Sequence, residues 1–174
     1  MSSRRLSYAA LIVAMGLTGA YAETIPNFEV LTLVVFTGGL LLGVRDGGLV
    51  GAATMFLYSV LNPYGAAHPL VTLAQVAGET LTGVTGGLLG RIGLDSRAPA
   101  VRAATLGIAG AGLTAFYDFV TNLATGFLYG QMRITLIGGI PLSLWHIGTN
   151  ATIFAALGTP LLGVLGHYRS RLFS

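Results

Sequence analysis

Long apolar stretches separated by short polar ones dominate the hydrophobicity pattern of this chain. The apolar stretches cover residues 6–22, 28–43, 47–61, 70–90, 103–127 and 142–167. A helix that crosses the hydrocarbon core of a bilayer needs roughly 17–25 residues. The second and third stretches are shorter than this, so they either barely span or form a tight hairpin that does not fully cross. The pattern predicts an all-α fold with six transmembrane helices in a single transmembrane domain, residues 1–174.

The arginines lie in the breaks between these stretches and predict an orientation. If the N-terminus is inside and the chain crosses six times, only Arg133 falls outside. The arginines that fall inside are Arg4, Arg5, Arg45, Arg91, Arg97, Arg102, Arg169 and Arg171. Cytoplasmic loops carry an excess of basic residues in membrane proteins. We therefore expect both termini to be cytoplasmic and the loops at 62–69 and 128–141 to face outside.

Composition agrees with a membrane location and excludes several kinds of chemistry. The chain is 53% hydrophobic and only 9% charged, whereas a soluble domain has about 25% charged residues. Its 26 glycines suit close helix packing in lipid. It has no cysteine, which excludes disulfides and thiolate sites. The net charge of +3 is too small to indicate nucleic-acid binding.

The N-terminal segment also allows a second interpretation. Two arginines, an apolar run and the small-residue pattern Ala20-Tyr21-Ala22 are typical of a cleaved signal peptide. Removing this segment would upset the charge asymmetry described above. We therefore expect it to be retained as the first helix.

Three of the predicted helices each carry two polar residues one helical turn apart. The pairs are Gln75 and Glu79, Asp118 and Asn122, and His146 and Asn150. Residues four apart share a helix face, and with a rise of about 1.5 Å per residue all three pairs lie in the outer half of the bundle. Tyr117 and Trp145 stand beside these pairs and could stack on a ring. The pattern predicts a binding pocket closed by the fourth, fifth and sixth segments.

A purely structural role for these residues is the alternative. Polar contacts between transmembrane helices are common and contribute about 0.6 kcal/mol each on average. That role suits amides and hydroxyls such as Gln75 and Asn122. It suits Glu79 and Asp118 less well, because charged groups at bilayer depth usually mark a substrate or ion path.

The polar residues do not form a recognisable catalytic arrangement. No serine or cysteine nucleophile stands near them, and the chain has neither an HExxH motif nor a Walker motif. We therefore expect a protein that is not an enzyme. Glu79 and Asp118 could instead relay protons in a stand-alone secondary transporter, although the internal repeat common in such carriers is missing. With His146 they could also bind a divalent metal.

Several motifs resemble one transporter family. The small residues Ala10 and Ala14 in "RRLSYAALIVAM", the turn "LLLGVRDGGLVGAA" and the segment "GGIPLSLWHIGTNATIFAALGTPLLGVL" are similar to parts of the S components of energy-coupling factor (ECF) vitamin importers. The N-terminus "MSSRR" lacks the histidine directly after Met that marks the metal-importing relatives, which weakens the metal alternative.

The resemblance implies a function and partners. An S component captures a vitamin or vitamin precursor at the plasma membrane of a prokaryote. It works with a membrane scaffold subunit and two ATPases, so ATP is hydrolysed by the partners and this chain needs no cofactor. Ala10 and Ala14 are then expected to dock on the scaffold subunit. The predicted pocket contains two acids, one histidine, amides and aromatic rings, with no basic residue at depth, which favours a cationic or neutral nitrogen heterocycle and leaves the particular vitamin open.

Overall fold

A computed structural model describes residues 2–22, 24–62 and 65–172, and all regular structure in these residues is helical. The seven α-helices are α1 (Ser3–Tyr21), α2 (Leu31–Leu42), α3 (Val44–Val60), α4 (Pro69–Leu89), α5 (Pro99–Leu128), α6 (Met132–Gly138) and α7 (Ile140–Leu172). One short 3₁₀ turn, Leu94–Ser96, lies between α4 and α5.

Six of these helices occupy the six apolar stretches of the sequence, and their ends differ from the predicted ranges by a few residues. The seventh was not expected, because residues 128–141 were predicted to be a loop. Part of this loop forms α6, whose first residue packs tightly against α5 at Gly126. A helix of seven residues is too short to produce a periodic signal in the sequence, and its stability depends on tertiary contacts.

Local sequence explains where several helices begin. The hydroxyl of Ser2 accepts a hydrogen bond from the backbone N–H of Arg5 and caps α1. His68 caps α4, where its Nδ1 accepts from the N–H of Leu70. Gly43 alone separates α2 from α3, and its φ of 88° is a conformation that side chains rarely adopt. The short second and third stretches are therefore two helices joined by a one-residue turn.

The α2 helix lies in the middle of the bundle. Ten of its twelve residues are buried, including Val35 and Phe36, as expected for a helix that is apolar on every side. It contacts α1, α3, α4 and α7. At about 18 Å, α2 is shorter than the hydrocarbon core of a bilayer.

The packing of α4 against α2 and α3 depends on glycine. A Cβ atom at Gly39 of α2 would overlap the carbonyl oxygen of Gly83 in α4, and one at Gly51 of α3 would overlap that of Glu79. The residues that make these backbone contacts, called the glycine interface below, are Gly39, Gly47, Gly51, Gly83, Gly86 and Gly87. Six of the 26 glycines therefore serve this one interface.

The two ends of the bundle differ in chemistry. At one end Arg5 of α1 forms an ion pair of 2.7 Å with Asp46 of α3 and donates to the carbonyl of Leu42. At the other end Tyr21 donates to the carbonyl of Leu61, which joins the last turns of α1 and α3. The loop between α1 and α2 also lies at this second end, where it contacts the first turns of α7.

Two helices in the described part of the chain are long and apolar enough to cross a membrane. They are α5 and the Ile140–Leu165 part of α7. The other helices are shorter or carry more polar residues, as α4 does with its threonines and glycines. Length and composition therefore indicate a helical membrane protein.

Candidate functional site

A cavity of about 100 Å³ lies at the end of the bundle away from the Arg5–Asp46 ion pair. It is lined by Ala20, Asn27, Glu29, Leu31, Thr32, Met55, Tyr58, Glu79, Tyr117 and His146. These residues come from helices α1, α2, α3, α4, α5 and α7 and from the loop before α2. Most of the helices therefore meet at the cavity, and the acidic and imidazole side chains among its described lining residues are Glu29, Glu79 and His146.

The glycine interface fixes Glu79 beside this cavity. Gly51 packs directly on the backbone carbonyl oxygen of Glu79, so α3 and α4 are in contact at the residue that carries the carboxyl group. The side chain is 1% exposed, and its Oε1 lies 3.1 Å from the hydroxyl oxygen of Thr32. Its Oε2 is buried without a hydrogen-bond partner. A buried oxygen of this kind is costly unless a ligand or water satisfies it.

Glu29 brings a second carboxyl to the cavity from the loop between α1 and α2. Its Oε2 accepts from the backbone N–H of Thr32 at 3.1 Å, and its Oε1 accepts from the Thr32 hydroxyl at 2.8 Å. Asn150 of α7 also donates to Oε1, at 3.3 Å. Burial raises the pKa of the Glu29 carboxyl, but the neighbouring His146 ring and the hydrogen bonds from Thr32 outweigh burial and leave the pKa below its ordinary value.

Asp118 holds the imidazole of His146. Its Oδ1 lies 2.9 Å from Nδ1 of His146, and both side chains are mostly buried. Because a carboxylate only accepts hydrogen bonds, Nδ1 carries the hydrogen. Nε2 on the opposite edge of the ring has no hydrogen-bond partner and lies 3.9 Å from Oε1 of Glu29. Asp118 thus sets the orientation of a ring that faces the cavity.

Asn150 links this group of residues to the interior of α5. Its side chain is fully buried and donates to the hydroxyl of Thr114 at 2.9 Å as well as to Glu29. Its Oδ1 is without a hydrogen-bond partner. The residues connected in this way, called the polar network below, are Glu29, Thr32, Glu79, Thr114, Asp118, His146 and Asn150.

The backbone of the loop that carries Glu29 is fastened to α7. The indole N–H of Trp145 donates to the carbonyl of Pro26 at 3.1 Å, and the hydroxyl of Thr149 donates to the carbonyl of Asn27 at 2.9 Å. Asn27 has a φ of 59°, in the left-handed region that asparagine tolerates better than most residues. Residues 24–30 therefore cover the cavity on the side of α7.

Three of the eight residues predicted for the pocket line the cavity, namely Glu79, Tyr117 and His146. Asp118 and Asn150 contact lining residues but do not line it themselves. Tyr117 packs edge-on to His146, with 6.3 Å between ring centroids.

The remaining three predicted residues lie elsewhere. Gln75 accepts from the hydroxyl of Ser59 at 2.9 Å. Asn122 is 3.5 Å from the hydroxyl of Ser143 and is not bonded to Asp118 as its spacing suggested. Trp145 is half exposed and contacts the loop, so it does not reach a molecule in the cavity.

The sequence interpretation missed Glu29 and Thr32, both of which line the cavity. Glu29 follows a short polar stretch and has no helical partner at i+4, so the search for paired polar residues could not find it. The signal available was a carboxylate directly before an apolar helix, where a side chain can accept from free N–H groups in the first turn. Glu29 does so with the N–H of Thr32.

Within the described residues, no group of three His, Cys, Asp or Glu side chains is arranged to hold a metal ion. The Glu29, Glu79 and His146 side chains surround the cavity, but they do not converge as metal ligands do.

Comparison of this chain with protein-family models, with curated protein sequences and with solved structures finds no match.

Proposed function

We propose that this chain is a multi-pass protein of a prokaryotic plasma membrane, with six crossings, that binds a small nitrogen-containing cation from outside. One observation carries the proposal, the buried cavity with two carboxyls and an unpartnered carboxyl oxygen at one end of an apolar bundle. Acidic groups at such depth mark substrate or ion sites. Among the described residues that line the cavity, the only basic side chain is the imidazole of His146, which already pairs with Asp118, so a cation is the complementary ligand.

Crossings by the five long helices around the buried α2 are supported by their outward faces. Large apolar side chains are exposed along all the long helices, including Leu11 of α1, Phe56 of α3, Leu73 of α4 and Ile108 of α5. So many exposed large apolar side chains require lipid or protein to cover them. The arginines of the α1 start, the α2–α3 turn and the α4–α5 linker lie at the end of the bundle opposite to the cavity. Under the positive-inside rule, this arrangement supports an orientation with the cavity towards the outside.

This topology is tested by chemical labelling in intact cells. Single cysteines at Ala67 and Gln131 should react with an impermeant maleimide, because both lie in loops at the cavity end. A cysteine at Ser96, in the linker between α4 and α5, should react only after the membrane is opened. Labelling at Ser96 together with protection of Ala67 would reverse the orientation.

The size of the cavity limits what it encloses. A volume of about 100 Å³ accommodates a group such as an ammonium or amidinium. Pockets that enclose drug-sized ligands have roughly 300–1,000 Å³. A molecule the size of a vitamin therefore binds with only its nitrogen group in this cavity, or after the loop 24–30 moves away from α7.

The mode of action that we propose is that of an ECF-type S component, which delivers its ligand to a scaffold subunit and two ATPases. An apolar groove of about 460 Å³ runs between α1 and α3 and supports such a partner. Ala10 and Ala14 line this groove and are exposed, and small residues permit close approach of another helix. Ala10→Trp or Ala14→Trp should prevent capture of the ATPases, whereas Ala77→Trp on the exposed face of α4 should not.

The second candidate is a secondary transporter driven by protons, and the proximity of the Glu29 and Glu79 carboxyls favours it. Proteoliposomes that contain only this chain separate the two. An S component gives no accumulation of its ligand under a proton gradient, and uptake requires the scaffold and ATPases. Accumulation by the isolated chain would replace the first proposal with the second.

A further inference from the structure

The Thr32 hydroxyl lies between two carboxyl groups and can donate to only one of them. Its oxygen is 2.8 Å from Oε1 of Glu29 and 3.1 Å from Oε1 of Glu79. A threonine hydroxyl has one hydrogen to donate and lone pairs to accept, whereas an ionised carboxylate only accepts. If both carboxylates were ionised, the Thr32 hydroxyl could donate its hydrogen to only one of them. Its oxygen would then face the carboxylate oxygen of the other with no hydrogen between the two atoms.

The surroundings of the two carboxyls decide which of them carries the extra hydrogen. Glu29 is surrounded by donors, namely the N–H and hydroxyl of Thr32 and the amide of Asn150. Glu79 contacts only the Thr32 hydroxyl in the described residues, and its other oxygen has no partner. Glu29 is therefore the ionised acceptor of the Thr32 hydrogen, and the lone pairs of Thr32 are left to accept from Glu79.

The neighbouring groups agree with this assignment. The remaining titratable side chains that face the cavity are Tyr58 from α3, Tyr117 from α5 and His146 from α7. The closest acidic partner of His146 is Asp118, at 2.9 Å, so the imidazole is already balanced by a carboxylate. Among the described residues of the cavity lining, no other basic side chain is present to compensate a second negative charge at Glu79.

We propose that the unliganded protein carries a proton on Glu79, donated to Thr32, and that this proton leaves when an organic cation enters the cavity. The exchange is balanced: the O–H bond of the neutral acid breaks, the proton passes to solvent, and the carboxylate that remains pairs with the cation. The unpartnered Oε2 of Glu79 and the ionised Glu29 then flank one positive charge. The exchange with a cation rests on the proposed binding function. The presence of the proton on Glu79 in the unliganded protein does not depend on that function.

Infrared spectroscopy tests the proton directly on purified protein from which any co-purified cation has been removed by exhaustive dialysis, as mass spectrometry verifies. The neutral carboxylic acid of Glu79 should give a carbonyl band above the amide region that shifts in D₂O. The band should be missing in Glu79→Gln, which keeps the size of the side chain. It should remain in Asp46→Asn, where the carboxyl removed is the partner of Arg5 at the other end of the bundle. A wild-type spectrum without such a band, or one that Glu79→Gln leaves unchanged, would overturn the proposal.

Acetamidinium and acetamide test the exchange, because they have nearly the same shape and differ in charge. Acetamidinium should abolish the band and release about one proton per protein into a weakly buffered solution, whereas acetamide should do neither. Persistence of the band at the highest acetamidinium concentration would refute the exchange. The proposed binding function would survive that result if the purified protein still retains an organic cation, so the two failures are distinguishable.

Discussion

On the α2–α4 side of the cavity the helices touch through glycine backbones, whereas on the α5–α7 side they are joined by buried polar side chains. The glycine interface leaves no room for a Cβ atom at Gly39 or Gly83. The polar network instead contains four buried oxygen or nitrogen atoms without a hydrogen-bond partner. The first arrangement is rigid because close-packed backbones cannot adjust, and it holds Glu79 in place. The second is incompletely satisfied, and we propose that a ligand completes it.

The largest expected effect comes from breaking the glycine interface. Gly39→Ala or Gly83→Ala puts a methyl group onto a backbone carbonyl or its neighbours, so α2, α3 and α4 must separate. Overpacking of a core costs about 1–3 kcal/mol and occasionally more, and we expect the upper part of that range. The free energy of unfolding in detergent measures it. Gly112→Ala in α5 meets no atom within 4 Å and should leave stability equal or slightly higher. Equal behaviour of all three variants would contradict the role of the interface.

A smaller loss of stability is expected from opening the polar network. Asn150→Ala removes the donor to Thr114 and Glu29 from a fully buried position. Leaving buried partners unsatisfied costs about 1–3 kcal/mol. The matched control is Thr152→Ala on the same helix, whose exposed hydroxyl bonds only to its own helix at Gly148. Thermal unfolding of the two variants side by side gives the difference, and no difference would mean that Asn150 is not a structural link.

Asp118→Asn should affect ligand affinity modestly, because Asp118 acts through His146. The variant keeps an oxygen for Nδ1 but loses the negative charge. A change equivalent to one ordinary hydrogen bond, about 0.5–1.5 kcal/mol, weakens binding roughly 2- to 12-fold. Nitrogen NMR of the imidazole should report the changed protonation or tautomer of His146 in the same variant. Weaker binding with an unchanged imidazole spectrum would show that Asp118 contacts the ligand itself.

The smallest effect is expected at Asn122, one helical turn from Asp118. Its contact is the hydroxyl of Ser143, at 3.5 Å, outside the polar network. Asn122→Ala should change stability by less than about 0.5 kcal/mol and affinity by less than about threefold. Calorimetric titration checks this, and a tenfold loss of affinity would extend the site by a turn of α5.

The sequence predicts part of the fold and part of the site. The apolar stretches predict the six longer helices, because the length of a buried or lipid-facing helix is visible directly as a run of hydrophobic residues. Helix spacing brings Glu79, Tyr117 and His146 to the same cavity. The spacing of polar residues wrongly assigns Asn122 to the site. Asp118 contacts His146, but one turn later on α5 Asn122 contacts Ser143 instead. Spacing could not find Glu29, whose position depends on how residues 24–30 fold over the ends of α2 and α7.

The central claim is that the cavity beside Glu79 holds an organic cation, and mass spectrometry of the purified protein tests it most directly. The wild-type protein should retain a small nitrogen-containing cation that is released on denaturation. Glu79→Gln, with its fold intact, should lose most of it, since a charge-assisted hydrogen bond of about 1.5–3 kcal/mol corresponds to a roughly 10- to 150-fold loss of affinity. Retention of the same molecule by Glu79→Gln at the wild-type level, or retention of an anion by both proteins, would contradict the account.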